Sequence, residues 1–154
     1  VRVRPWLIKT EAIPGAWPAV KHLVERACAA GLGRLEADDV YEQLGDGGMQ
    51  LWALVTVEGE PEIVAVLVTE MIQYPKKRVL DLALLGGDHI DLWIDALPVL
   101  EQWAVEEQGI EQIQIHGRGG WERVAGHRRK SWEHVDGYEP RAVVLIKNLE
   151  ARHG

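Results

Sequence analysis

The chain has no phenylalanine, a single cysteine and two methionines in 154 residues. One thiol closes no internal disulfide and builds no cysteine-based metal site. Cys28, with helical neighbours, is therefore expected as a small buried apolar residue rather than a reactive group. No apolar run approaches the ~18 residues of a membrane-spanning helix, and no signal-peptide pattern is present. Because the chain opens on Val1, an initiator methionine or short leader is expected to be missing. The formal net charge of −7 argues against wholesale nucleic-acid binding. The histidines show no HxxxH or HExxH spacing, so no metal site is expected. Neither a P-loop nor a G-x-S-x-G segment occurs. Seven tryptophans beside no phenylalanine is an unusual balance, and physical chemistry supplies no reason for it.

What is present is an ordinary globular composition, 47% hydrophobic and 27% charged, at a length that suits one domain with a hydrophobic core. A single domain over residues 1–154 is expected. The most informative stretch runs from Arg78 to Ile115. Leu80, Leu82 and Leu84 alternate with Asp81, Ala83 and Leu85, the period of a half-buried strand. Gly86-Gly87 then reads as a turn. Ile90, Trp93, Ile94, Leu97, Glu101 and Ala104 fall at helical spacing over Ile90–Gln108, with Pro98 expected to bend or break the helix near Ile94. Gly109 stops the helix, and Gln112–His116 resumes alternation. A strand, crossover helix and strand of this size imply a parallel pair.

Around this unit, Val1 to Ile13 reads as a first strand broken by Pro14-Gly15. Pro18 opens a helix bearing Trp17, Val20, Val24, Ala27 and Cys28, ended by Gly31 and Gly33. Glu36–Leu44 reads as a second helix. Gln50–Glu58 and Ile63–Tyr74, separated by Gly59-Glu60-Pro61, read as a hairpin, and Pro75-Lys76-Lys77 turns into the strand at Arg78. After a glycine-rich corner at His116–Gly120, Trp121 to Val135 suggests a further helix and Ala142–Leu149 a last strand. The order β-α-α-β-β-β-α-β-α-β predicts an α/β (α+β) domain. Its sheet is expected to be mixed and mostly antiparallel, with one parallel β-α-β unit.

That order, together with Tyr74-Pro75-Lys76-Lys77-Arg78, Leu85-Gly86-Gly87, Gly117-Arg118-Gly119-Gly120-Trp121-Glu122-Arg123-Val124 and Gly137-Tyr138, resembles the GNAT superfamily of acyl-CoA N-acyltransferases. The resemblance runs from about Trp6 to Leu149 and is closest to short phage-encoded GNAT-like proteins. It implies a GNAT-like fold, acetyl-CoA as cofactor and an amine as acceptor. It also implies a cofactor-binding segment at Leu84, Leu85, Gly86, Gly87, Asp88 and His89, with Arg118 nearby. The superfamily's turn carries Q/R-x-x-G-x-G/A, whose N–H groups wrap the pyrophosphate. This chain has neither Gln nor Arg there, and Asp88 and Asp91 instead. Each carboxylate within a few ångströms of a phosphate would cost about 1–4 kcal/mol.

Acetyl transfer to an amine needs a base for the ammonium, donors for the oxyanion and an acid for the leaving thiolate. By resemblance the base comes from the fourth strand, where Asp81 lies, or from Glu70 near the end of the third. The plainer reading of both is solvated carboxylates on the polar face of a sheet. The superfamily's tyrosine position in the last helix appears as Trp121 or a neighbour, which leaves Tyr138 as the nearest candidate acid. Lys76, Lys77 and Arg78 form one basic cluster, and His127, Arg128, Arg129 and Lys130 another; such runs are most often solvated faces. Two functional expectations follow. One is an N-acetyltransferase with a degenerate cofactor turn. The other is an inactive protein of the same fold that binds protein partners, phage structural proteins among them. The first implies a cytoplasmic protein and the second a virion-associated one; neither involves a membrane or nucleic acid.

Overall fold

The computed structural model describes residues 2–31, 33–88, 90–115 and 147. The chain divides into two compact units, Val1–Ile115 and His116–Gly154, and every element below belongs to the first. The expected last helix and last strand, with Arg118, Trp121 and Tyr138, lie outside the described residues, as does His89.

Five strands, β1 (Val3–Ile8), β2 (Met49–Thr56), β3 (Ile63–Gln73), β4 (Arg78–Gly87) and β5 (Gln112–Ile115), form one sheet in sequence order. The first three neighbouring pairs are antiparallel. β4 and β5 are parallel, from Val79 opposite Gln112 to Leu82 opposite Ile115. The mixed sheet and its parallel unit are as the sequence predicts.

Helices α1 (Ile13–Ala29) and α2 (Ala37–Gly45) cover one face. There Val20, Leu23, Val24 and Ala27 of α1 and Val40 and Leu44 of α2 meet Met49, Leu51, Val66, Val68 and Leu84 of the sheet. α1 starts earlier than expected, and β1 ends at Ile8. Pro14 does not break a strand; it sits in the first turn of α1, where a missing N–H is no loss. Pro18 is tolerated one turn further in, with one helical hydrogen bond forgone. Helix α2 is capped by a reciprocal pair, Glu36 at the N-cap and Asp39 three residues on, whose carboxylate accepts from the Glu36 N–H at 2.9 Å.

The opposite face carries the crossover from β4 to β5, which is not one helix. A 3-10 segment spans Ile90–Ala96, and α3 begins only at Leu97, with Pro98 in its first turn. The expected break near Ile94 falls at Ala96–Leu97, with Pro98 opening α3 because its fixed φ suits that position. Trp93, Ala96, Leu97, Leu100 and Ala104 are buried, and Ala104 and Ile110 pack on Leu80. Gly109 ends α3 in the left-handed conformation at φ 61°, as expected of a glycine C-cap.

Candidate functional site

The third and fourth strands put the two candidate bases side by side. Tyr74 N–H donates to the Lys77 carbonyl at 2.8 Å, closing a tight turn, and the ladder that runs back from it pairs Glu70 with Asp81. Directly opposed residues on one face lie close enough for their side chains to interact. Glu70 is half-buried, while Asp81 is buried at 4% exposure. Asp81 is therefore not a solvated surface carboxylate. β4 is covered on both faces, and the half-buried alternation read from its sequence gives way to a nearly continuous buried run. Asp81 also stands opposite Gln114 of β5, so three side chains with oxygen acceptors share one row of the sheet.

Just beyond this row the sheet changes. The register slips at Ala83: Thr69 opposes Leu82, but Val68 opposes Leu84. A bulge of this kind bends the strand and re-aims its side chains. The described parallel pairing runs to Leu82 and Ile115, and β4 continues to Gly87. Past the bulge, β4 has no β5 partner among the described residues.

The glycines at the end of β4 are not a turn. Gly86 and Gly87 pair with Val66 and Ala65 as strand residues. A Cβ on Gly86 would collide with the backbone of Ala27 in α1, and one on Gly87 would come within 2.6 Å of the Val64 carbonyl oxygen. Gly87 also has φ 128°, a conformation that side chains other than glycine's disfavour. Both glycines are there because other backbone passes against them. The next N–H, that of Asp88, donates to the Val64 carbonyl at 2.7 Å. Leu84 and Leu85 are buried, and Leu84 belongs to the core under α1.

Asp88 itself is exposed and paired. The Arg26 guanidinium, on α1, donates to Asp88 Oδ1 from both Nη1 and Nη2 at 3.2 Å, and Nη2 also donates to the Gly87 carbonyl at 3.1 Å. The segment that lacks a cation in its own sequence receives one from 62 residues away. No local pattern marks Arg26, because only the packing of α1 on β4 brings it there. The Glu70–Asp81 pairing is not legible in the sequence either: a turn at Pro75-Lys76-Lys77 leaves the register open, and the Tyr74–Lys77 hydrogen bond decides it.

The basic turn behaves differently from a cluster. Lys76 and Lys77 are exposed, but Arg78 is half-buried. It donates from Nη1 to the carbonyl of Gln108 at 2.7 Å, a favourable contact for a cation at the end of α3. Cys28 is buried, as expected, and burial, then the charges of Asp39, Glu25 and Glu36, raises its thiol pKa. A thiol held protonated in this way is a poor nucleophile. Two of the better-formed clefts lie among the described residues. One, of about 590 Å³, lies between the end of α1 and the start of α2, walled by Lys21, Glu25, Cys28, Glu36 and Asp38. The other, of about 300 Å³, lies by Lys9, Gln50, Met71, Trp103 and Gln108. Neither is lined by Glu70 or Asp81. The described residues contain no group of His, Cys, Asp and Glu able to hold a metal ion. None of their helices is long and apolar enough to cross a membrane.

The sequence matches no protein-family model and no curated protein. Solved structures do match over nearly the whole chain. A ribosomal-protein-alanine N-acetyltransferase from Brucella melitensis biovar Abortus 2308 superposes with a TM-score of 0.60 at 16% identity, covering 95% of this chain and 99% of its own. An aminoglycoside acetyltransferase from an uncultured soil metagenomic sample, solved with sisomicin, gives 0.64 at 13% identity, covering 96% and 97%. A putative acetyl transferase from Pyrococcus furiosus gives 0.57 at 12%, covering 96% and 100%. At such identities the likeness establishes the fold, which is the GNAT-like fold of acetyltransferases.

Proposed function

We propose that the protein is an N-acyltransferase that moves an acetyl group from acetyl-CoA to an amine. The observation that carries this reading is the facing pair of carboxylates Glu70 and Asp81 on β3 and β4, beside the bulge at Ala83. Acetyl-CoA lies in this reading along the stretch of β4 from Leu84 to Asp88, with His89 and Arg118 as further contacts. Glu70 and Asp81 are the candidate groups to take the proton from the acceptor ammonium, so that its nitrogen attacks the thioester carbonyl. Two adjacent carboxylates favour a cationic acceptor. Tyr138 is the candidate donor to the departing thiolate. The reading takes residues 1–154 as one domain and places the protein in the cytoplasm. Which amine is acetylated is open to a screen, and the aminoglycoside and ribosomal-protein acceptors named for the neighbours are sensible first members of it.

A second reading is a protein of this fold without catalysis, acting through a protein partner, phage structural proteins being one kind. One observation favours it: the Asp88 N–H, which a phosphate would otherwise accept from, is already spent on Val64. A single experiment separates the two. Purified protein is incubated with acetyl-CoA and a panel of primary amines, and free CoA thiol and acetylated product are followed together. Amine-dependent thiol release that disappears in Asp81→Asn or Glu70→Gln supports the transferase. Absence of both acetyl-CoA binding by calorimetry and turnover overturns it.

A further inference from the structure

We propose that Arg26, on α1, is the cation that takes the diphosphate of acetyl-CoA at the end of β4, with Asp88 as the counter-ion that competes for it. The proposal rests on the acyltransferase reading and deepens its cofactor site. Several usual sources of anion recognition are spent among the described residues at the end of β4. Gly86 and Gly87 are ladder residues and the Asp88 N–H is bonded to Val64. From Leu85 to Asp91 the sequence holds neither Arg nor Lys. The 3-10 segment that follows is only one short stretch, Ile90–Ala96. Arg26 fills the gap from another element.

Its geometry suits an exchange of partners. The Nη2 bond to the Gly87 carbonyl ties the guanidinium to the end of β4 whether or not Asp88 is engaged. Three N–H bonds run to the two oxygens of Gly87 and Asp88, and a guanidinium carries five donors in a planar fork. The Arg26 and Asp88 side chains are 51% and 72% exposed, so an incoming anion reaches both. An exposed carboxylate–guanidinium pair is weak. A diphosphate offers greater charge and two oxygens matched to the fork. The anion therefore displaces Asp88 from Arg26 while Gly87 keeps the head in place. Asp88 is then more than a repelling charge beside the cofactor: it sets the affinity by holding the cation until the anion arrives.

The test is a double-mutant cycle read by calorimetric titration of the full chain with acetyl-CoA, using wild type, Arg26→Gln, Asp88→Asn and the double variant. Arg26→Gln is expected to weaken binding about tenfold or more, the size of a lost charge-assisted bond. Arg26→Lys keeps the charge without the fork and is expected to fall between. Asp88→Asn is expected to tighten binding in the wild-type background and to lose most of that gain once Arg26 is gone. Unchanged affinity in Arg26→Gln overturns the proposal and leaves the acyltransferase reading intact. Equal tightening by Asp88→Asn in both backgrounds shows simple repulsion and overturns the competition. Failure of wild type to bind acetyl-CoA at all removes the reading and the proposal together.

Discussion

Glu70 and Asp81 face one another across β3 and β4, one partly open to solvent and the other buried. The pairing brings two separate sequence candidates together, next to the bulge at Ala83. It also gives the two carboxylates unequal surroundings, the usual basis on which adjacent acids take different roles.

If the pair carries the proton transfer, Asp81→Asn and Glu70→Gln should not be equivalent. The variant that removes the base is expected to lose roughly 10²–10⁴ in turnover with little change in acetyl-CoA affinity. The other should shift the acidic limb of the pH–rate profile. Steady-state kinetics across pH distinguishes them, and two variants with wild-type turnover would exclude both residues as the base.

Gly86 and Gly87 are expected to matter for stability before they matter for binding. Gly86→Ala drives a methyl group into the Ala27 backbone of α1, an overpacking worth about 1–3 kcal/mol. Gly87→Val adds strain at φ 128°. Urea denaturation should show lowered midpoints for both, whereas a plain surface turn would tolerate either change.

The tryptophans should divide by burial. Trp93 is fully buried, and its truncation to Ala is expected to cost about 3–5 kcal/mol. Trp17, half-buried against the Tyr41 ring at 4.9 Å, should cost less. Trp6 is 57% exposed and should shift stability by no more than about 0.5 kcal/mol. Equal midpoints for the Trp93 and Trp6 variants would contradict the packing described.

Arg26 and Asp88 should contribute little to folding. Exposed pairs of this kind are worth about 0–1 kcal/mol, so Asp88→Asn is expected to leave the thermal midpoint unchanged even where it alters ligand affinity. A large loss of stability would show that the pair is structural.

Cys28 gives a pH prediction. Its thiol pKa is raised in the folded chain, so the folded state holds the proton more tightly than the unfolded state does. The associated stability is fully present below the unfolded thiol's pKa and is lost as pH rises through the raised folded value. Replacing Cys28 by Ala should flatten the alkaline fall in stability. Alkylation of the native protein at neutral pH should be slow, and rapid labelling without unfolding would show the thiol to be accessible and ionised.

The sequence by itself determined the order of strands and helices through β5, the hairpins, the parallel unit and the glycine stop after α3. These follow from local periodicity and from the fixed backbone preferences of Gly and Pro. Its errors were equally local in origin. Proline reads alike whether it breaks an element or opens one, so the start of α1 and the start of α3 at Leu97 were misplaced. Two adjacent glycines read as a turn when they are the strand residues on which α1 and β3 press. Tertiary structure alone decided the burial of Asp81, the Ala83 bulge and the arrival of Arg26 at Asp88. Burial is set by what covers a strand, and an ion pair between distant residues exists only after the helix has docked on the sheet. No pattern within a short window encodes either.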